Sequence, residues 1–137
     1  MVTASLHISR RIRCSAQRAY DYARDPLHLP AWAAGLGGSV ERVDGQWRVP
    51  TPEGDAVVEF VAPNEHLVLD HDVVLPDGTR VHNPMRVLAD GDDCEVVFTL
   101  RRQLGTTDDE WARDAAAVAR DLATLQQVLE SAPPASS

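Results

Sequence analysis

Apolar residues fill every second position over much of the first hundred residues, and at one point this alternation fixes a strand register. Leu67, Leu69, His71, Val73 and Leu75 precede Pro76-Asp77-Gly78, and Val81, Asn83, Met85 and Val87 follow it. A Pro-Asp-Gly sequence between apolar runs favours a type I turn closed by a left-handed glycine. Such a loop pairs Leu75 with Thr79. Counting back sets Val73 opposite Val81, His71 opposite Asn83, Leu69 opposite Met85 and Leu67 opposite Val87. All of these share one face, because side chains alternate along strands. That face is apolar except for His71 and Asn83, side by side. The other face carries Asp70, Asp72, Arg80, His82 and Arg86, a charge-complementary ladder suited to water.

The remaining elements follow from period and punctuation. Ala4, Leu6, Ile8 and Ile12 mark a first strand, with Arg10 as the odd residue. Ser15 is placed to cap a short helix over 16–24, in which Ala19, Tyr22 and Ala23 have helical spacing. Asp25-Pro26 ends it, and 27–34 reads as a second short helix with Pro30 in its first turn. Gly35, Gly37 and Gly38 stop that helix. Strands over 39–43 and 46–49 flank Asp44-Gly45, a two-residue hairpin signal. A turn over 50–54 leads to a fourth strand with Ala56, Val58 and Phe60 on one face. Strands 67–75 and 79–89 form the hairpin above. Asp90-Gly91 then turns the chain into a seventh strand with Cys94, Val96, Phe98 and Leu100. If Ala89 pairs with Cys94, Asn83 lies beside Leu100. Thr107-Asp108-Asp109-Glu110 fits a capping box. The helix it opens carries Trp111, Ala115, Val118, Leu122, Leu125 and Leu129, in steps of three and four.

Composition narrows the classes of function. The chain has 137 residues, enough for one domain with a sizeable core. We expect that domain over 1–130, with a disordered tail rich in proline and serine over 131–137. The net charge of -8 argues against a nucleic-acid partner. All 13 basic residues are arginine, so lysine Schiff-base chemistry is excluded. No apolar run reaches the roughly 20 residues of a membrane helix. Met1 to Arg13 lacks the continuous apolar stretch of an export signal. A cytoplasmic location without membrane association is therefore expected, and Cys14 and Cys94 are expected as reduced thiols.

The candidate chemistry centres on His71 and Asn83. An imidazole on an apolar face can act as general base or acid, and Asn83 can fix its tautomer or hold a substrate carbonyl. An apolar surround lowers the histidine pKa and keeps it neutral. The alternative is a buried polar pair that satisfies its own hydrogen bonds. Met85, Phe60 and Phe98 fall on inner faces. Arg10 points inward if the first strand is regular and outward if it bulges. Tyr22 has better core spacing than Tyr20. Asp70, Asp72, His82 and Arg86 read as a solvated ladder rather than a catalytic set. The histidines lack metal-ligand spacing, so no metal site is expected. No phosphate loop or serine elbow is present in the sequence pattern.

Several segments together resemble the helix-grip fold of the SRPBCC superfamily, which holds START-type carriers, birch-pollen-allergen-like proteins, polyketide cyclases and heat-shock ATPase activators. They are Ala19-Tyr20-Asp21-Tyr22 with Asp25-Pro26, Leu29-Pro30-Ala31-Trp32, Leu69-Asp70-His71-Asp72-Val73, Asn83-Pro84-Met85-Arg86-Val87 and the helix carrying 121–125. The chain looks most like bacterial proteins of the polyketide cyclase/dehydrase-like branch. The resemblance implies an α+β fold: a seven-stranded curved antiparallel sheet around a long C-terminal helix, with two short helices after the first strand. It implies an internal cavity whose mouth Trp32 would close, unless Trp32 serves as a core anchor; Met85, Phe98, Tyr22, Phe60, Arg10, Val118 and Leu122 are the further candidate ligand contacts, with Met85 and Phe98 otherwise plain core residues. Ala19 replaces a larger aliphatic residue, which implies a roomier interior.

Three functions follow as expectations. The first is cofactor-independent cyclisation or dehydration of an aromatic or polyketide-like molecule, with His71 moving the proton and Asn83 orienting it. The second is a non-catalytic carrier of a hydrophobic ligand. The third is a protein-binding adaptor like the heat-shock ATPase activators. The expected assembly is a monomer or homodimer.

Overall fold

Each turn signal in the sequence closes a pair of neighbouring strands, and the strands curve around the last helix. A computed structural model describes residues 4–33 and 39–131. Among these the strands are β1 (Ser5–Ile12), β2 (Glu41–Val43), β3 (Gln46–Thr51), β4 (Gly54–Phe60), β5 (His71–Val74), β6 (Arg80–Asn83), β7 (Met85–Asp90) and β8 (Asp93–Arg101). The helices are α1 (Ala16–Ala23), α2 (Leu29–Trp32) and α3 (Asp108–Ser131), with one 3-10 turn at Pro26–His28.

Local chemistry explains the boundaries. Ser15 Oγ accepts from Arg18 N at 3.2 Å and starts α1. Thr107 N donates to Glu110 Oε1 at 2.9 Å while Glu110 N donates to Thr107 Oγ1 at 3.1 Å, a reciprocal cap for α3. Asp44 and Gly45 both have positive φ, 52° and 79°, as the tight β2–β3 turn requires. The turn expected over 50–54 is shorter, because Pro50 and Thr51 extend β3.

The strands form two hydrogen-bonded groups, β2-β3-β4-β5-β6 and β1-β8-β7. The predicted register holds: His71 pairs with Asn83, Val73 with Val81, and Ala89 with Cys94. The expected strand over 79–89 is interrupted at Pro84, so the curved sheet has eight strands among the described residues instead of seven. Proline has no N–H to give a ladder, and its carbonyl instead accepts from Thr99 N of β8 at 2.9 Å. This break lets one continuous stretch pass from the first group to the second. α3 buries Leu122, Leu125 and Leu129 and packs chiefly against β1 and α2.

Several expectations change. The buried stripe of α1 is Ala16, Ala19, Tyr20 and Ala23, at spacings of three and four. Tyr20, not Tyr22, is the core tyrosine, and its hydroxyl accepts from Asn64 N at 2.9 Å. Ala19 is fully buried in the core and does not widen the cavity described below. Ser131, expected in the tail, is the last residue of α3. The remainder of that tail, 132–137, lies outside the described residues, as do Ala34 and the helix-ending Gly35, Gly37 and Gly38. Cys14 and Cys94 meet in the core as free thiols. Burial, followed by the neighbouring Cys14, pushes the Cys94 thiol up to about 12.

Candidate functional site

Between the curved sheet and α3 lies a partly open cavity of about 220 Å3. Its apolar wall is built by Trp32 of α2, Val73 of β5, Phe98 and Leu100 of β8, and Val118 and Leu122 of α3. His71 and Asn83 complete its inner end, with only 7% and 9% of their surfaces exposed. Asp114 and Asp121 of α3 also line it; Asp114 is exposed and Asp121 half-buried.

The state of His71 follows from its contacts. Nδ1 lies 2.9 Å from the Leu69 carbonyl oxygen. A carbonyl only accepts, so the proton sits on Nδ1 and Nε2 carries a lone pair. Nε2 makes no hydrogen bond among the described residues. The ring packs between Phe60 at 4.8 Å and Phe98 at 5.9 Å. Burial therefore pushes its pKa below the ordinary 6.5, against smaller upward pulls from the Leu69 hydrogen bond, Asp70 and Asp72. The neutral imidazole is the resting form at neutral pH.

The Leu69 carbonyl is available because the ladder is altered beside it. Leu69 N donates to Met85 O at 2.8 Å. A regular antiparallel pair would return a bond from Met85 N to Leu69 O. Asp70 Oδ1 takes that N–H instead, at 2.9 Å, and Asp70 Oδ2 faces Arg86 at 3.4 Å. The freed carbonyl then holds the imidazole. Asp70 was legible only as part of a solvated ladder; it fixes the histidine tautomer indirectly, the role expected of Asn83.

The Asn83 amide thereby stays open to the cavity. Its side chain makes no hydrogen bond among the described residues. Trp32 Nε1 is likewise buried without a partner among them. Of these groups Trp32 Nε1 is sealed and unpaired, which is costly, whereas His71 Nε2 and the Asn83 amide are unpaired among the described residues without being sealed, so a polar ligand atom in the hollow would meet open hydrogen-bonding groups.

The cavity brings together His71, Asn83, Trp32, Phe98, Val118 and Leu122. It does not include the other four expected residues. Met85 is buried beneath it at 1% exposure. Phe60 reaches it only through the His71 ring. Tyr22 stacks on His28 at 4.0 Å beside a separate groove. β1 runs in regular register, so no bulge forms, yet Arg10 is exposed and its Nε donates to Gln126 Oε1 at 2.5 Å. β1 lies at the edge of its group of strands, and an arginine there extends past the hollow to the flank of α3. The ladder lies on the outer face with Arg80 and His82 exposed and Asp72 half-buried, and Asp72 is held below the ordinary carboxylate range by bonds from Arg80 and His82.

The lowered His71 pKa has a defined effect on stability. Between the folded pKa and 6.5 the unfolded chain binds more protons than the folded one, so stability rises with pH there. It is complete above about 6.5 and falls as pH drops through that window. Urea unfolding from pH 8 to pH 5 should show a steeper loss for the native chain than for His71→Gln, which cannot titrate. Parallel curves would contradict a buried neutral imidazole.

No protein-family model matches the chain, and no curated protein matches it. Solved structures do. A START superfamily protein from Mycobacterium smegmatis is 17% identical, with 93% of this chain and 97% of that one covered and a TM-score of 0.65. The structure named Ara h 8.0201 is 12% identical, covering 96% of this chain and 100% of that one, with a TM-score of 0.71. The di-domain ARO/CYC BexL is 12% identical with a TM-score of 0.72; 95% of this chain covers 48% of BexL, about half its length. At such identities the likeness concerns the fold alone, a helix grip in which a curved sheet wraps a long C-terminal helix.

Proposed function

Starting from that helix-grip fold, we propose that the cavity binds a small apolar molecule bearing a carbonyl or hydroxyl group, and that His71 moves a proton on it. One observation carries the reading: an unprotonated, unpaired Nε2 and an unpaired amide share an apolar hollow. Size limits the ligand. About 150 Å3 accommodates a benzene ring, so a cavity of about 220 Å3 suits a body of one or two rings.

The chemistry is proton abstraction next to a carbonyl, the elementary step of cyclisation and dehydration of polyketide-like molecules. Nε2 takes the proton as the C–H bond breaks. The electron pair moves onto the carbonyl oxygen, where Asn83 Nδ2–H donates to the developing negative charge. The proton then returns to carbon or leaves with a hydroxyl as water. No cofactor enters this step. The structural neighbours with cyclase and START names support the reading only as proteins of like fold.

The bicyclic ketone 2-tetralone tests it. Saturable binding by calorimetry is expected, together with accelerated exchange of its α-hydrogens in D2O, followed by proton NMR. Binding without exchange would leave a carrier of hydrophobic ligands and overturn the catalytic half. Absence of binding would overturn both halves.

A further inference from the structure

His71 and Asn83 stand directly opposite each other on β5 and β6, which sets their Cβ atoms about 5 Å apart on one face. Both are more than nine-tenths buried and both line the hollow. One small ligand group can therefore touch both side chains. The two offer different partners to it. Asn83 brings an N–H and a carbonyl oxygen. His71 brings Nε2 alone, because Nδ1 is turned to the Leu69 carbonyl at 2.9 Å. A neutral imidazole with its proton on Nδ1 can only accept at Nε2.

A ligand hydroxyl satisfies that pair in full. Its O–H donates to Nε2 while its oxygen accepts from Asn83 Nδ2. A carbonyl oxygen accepts from Asn83 but has no proton for Nε2, which stays unpaired beneath the ligand. Covering an acceptor without a partner is costly. For that reason a site built around a hydroxyl discriminates against an analogue that lacks one.

The hydrogen-bonding sense of His71 is set from outside the cavity. Asp70 is half-buried and does not line the hollow. Its Oδ1 takes the Met85 N–H at 2.9 Å, which a regular ladder would give to the Leu69 carbonyl. Returning that N–H to Leu69 would make it compete with His71 Nδ1–H for one oxygen. The ring would then be free to carry its proton on Nε2, and the acceptor that meets the ligand would become a donor.

We infer, on the ligand-binding reading above, that the cavity selects ligands placing a neutral hydroxyl between His71 and Asn83, and that Asp70 is the positioning residue behind this preference. A change on the outer side of the sheet thus alters what the inner side recognises.

Two bicyclic probes separate the cases: 2-naphthol carries a hydroxyl and 2-tetralone a ketone. Calorimetry on the full chain at pH 7 should give a naphthol-to-tetralone affinity ratio of about ten. Asp70→Asn keeps an oxygen for the Met85 N–H and should keep that ratio. Asp70→Ala releases the Met85 N–H, and His71→Phe deletes the acceptor while keeping a ring. Each should lower the ratio to about one, with urea midpoints confirming folded chains. Nitrogen-15 NMR at pH 8 reads the cause. The His71 ring, assigned by its absence from His71→Phe, should show a bare Nε2 in the native and Asp70→Asn chains and a protonated Nε2 in Asp70→Ala. A native ring protonated on Nε2, a native ratio of one or less, or a ratio unchanged in His71→Phe overturns the hydroxyl preference while the cavity remains a ligand site. A native-like ring in Asp70→Ala removes Asp70 from its positioning role. If Asp70→Ala does not fold, the native nitrogen spectrum and the His71→Phe ratio still decide the preference. Failure of both probes to bind overturns the preference and the ligand reading together.

Discussion

The His71→Ala chain is expected to exchange the α-hydrogens of 2-tetralone about a thousandfold more slowly than the native chain, the usual scale for a positioned base. Its Kd should stay within about tenfold, because one hydrogen bond contributes about 1 kcal/mol. The two readouts separate a base from a mere wall residue. Removing a wall residue weakens binding and exchange together; removing the base spares binding. The substitution also strands the Leu69 carbonyl and deletes ring contacts with Phe60 and Phe98, so some stability is lost. Added imidazole provides the control. The side chain removed leaves a hole of its own shape beside the cavity, and a free imidazole seated there should restore part of the exchange. Native exchange rates in the variant would remove His71 from the chemistry.

The second large effect is structural. Leu125 is fully buried, one turn from both Leu122 and Leu129 on the stripe that anchors α3. Leu125→Ala should destabilise the chain by about 3 kcal/mol, combining lost transfer free energy with the residual hole. The melting temperature should fall by about 10 °C. Leu125 does not line the cavity, so ligand affinity at 15 °C should hold while stability drops. A loss below about 1 kcal/mol would mean that α3 is held by something other than this stripe.

The two variants test levels that differed in legibility. Register was readable because Pro76-Asp77-Gly78 admits few turns, and a slip by one residue would turn every inner side chain outward. That constraint alone brought His71 and Asn83 together. The capping box at Thr107 and the stripe through Leu129 were readable for the same reason, since each is a local rule with a fixed spacing.

The failures arose where a residue's role depends on a distant partner. Pro84 split a strand that period alone made continuous, and nothing near it announces that Thr99 will cover its carbonyl. Asp70 alternates like its neighbours on the outer face, yet its carboxylate displaces a backbone acceptor and so frees Leu69. In α1, Tyr20 and Tyr22 both fit a short helical pattern; the contact with Asn64, 44 residues away, chose Tyr20. Arg10 obeyed the alternation and still missed the hollow, because direction along a strand says nothing about reach at a sheet edge. Asp114 and Asp121 were given no role from the sequence, although both line the cavity. A helical wheel places them two turns apart beside Val118, and that alignment was the available signal.

The paired sulfurs give the chain a built-in clock. Cys94 is fully covered and Cys14 nearly so, and a thiol held near 12 is almost wholly unreactive toward alkylating reagents at neutral pH, which attack the thiolate. Iodoacetamide can therefore mark Cys94 only during moments when the interior opens. Where closing outpaces alkylation, mass gained over time reports the share of molecules that are open, with no engineered label and no need for a known ligand.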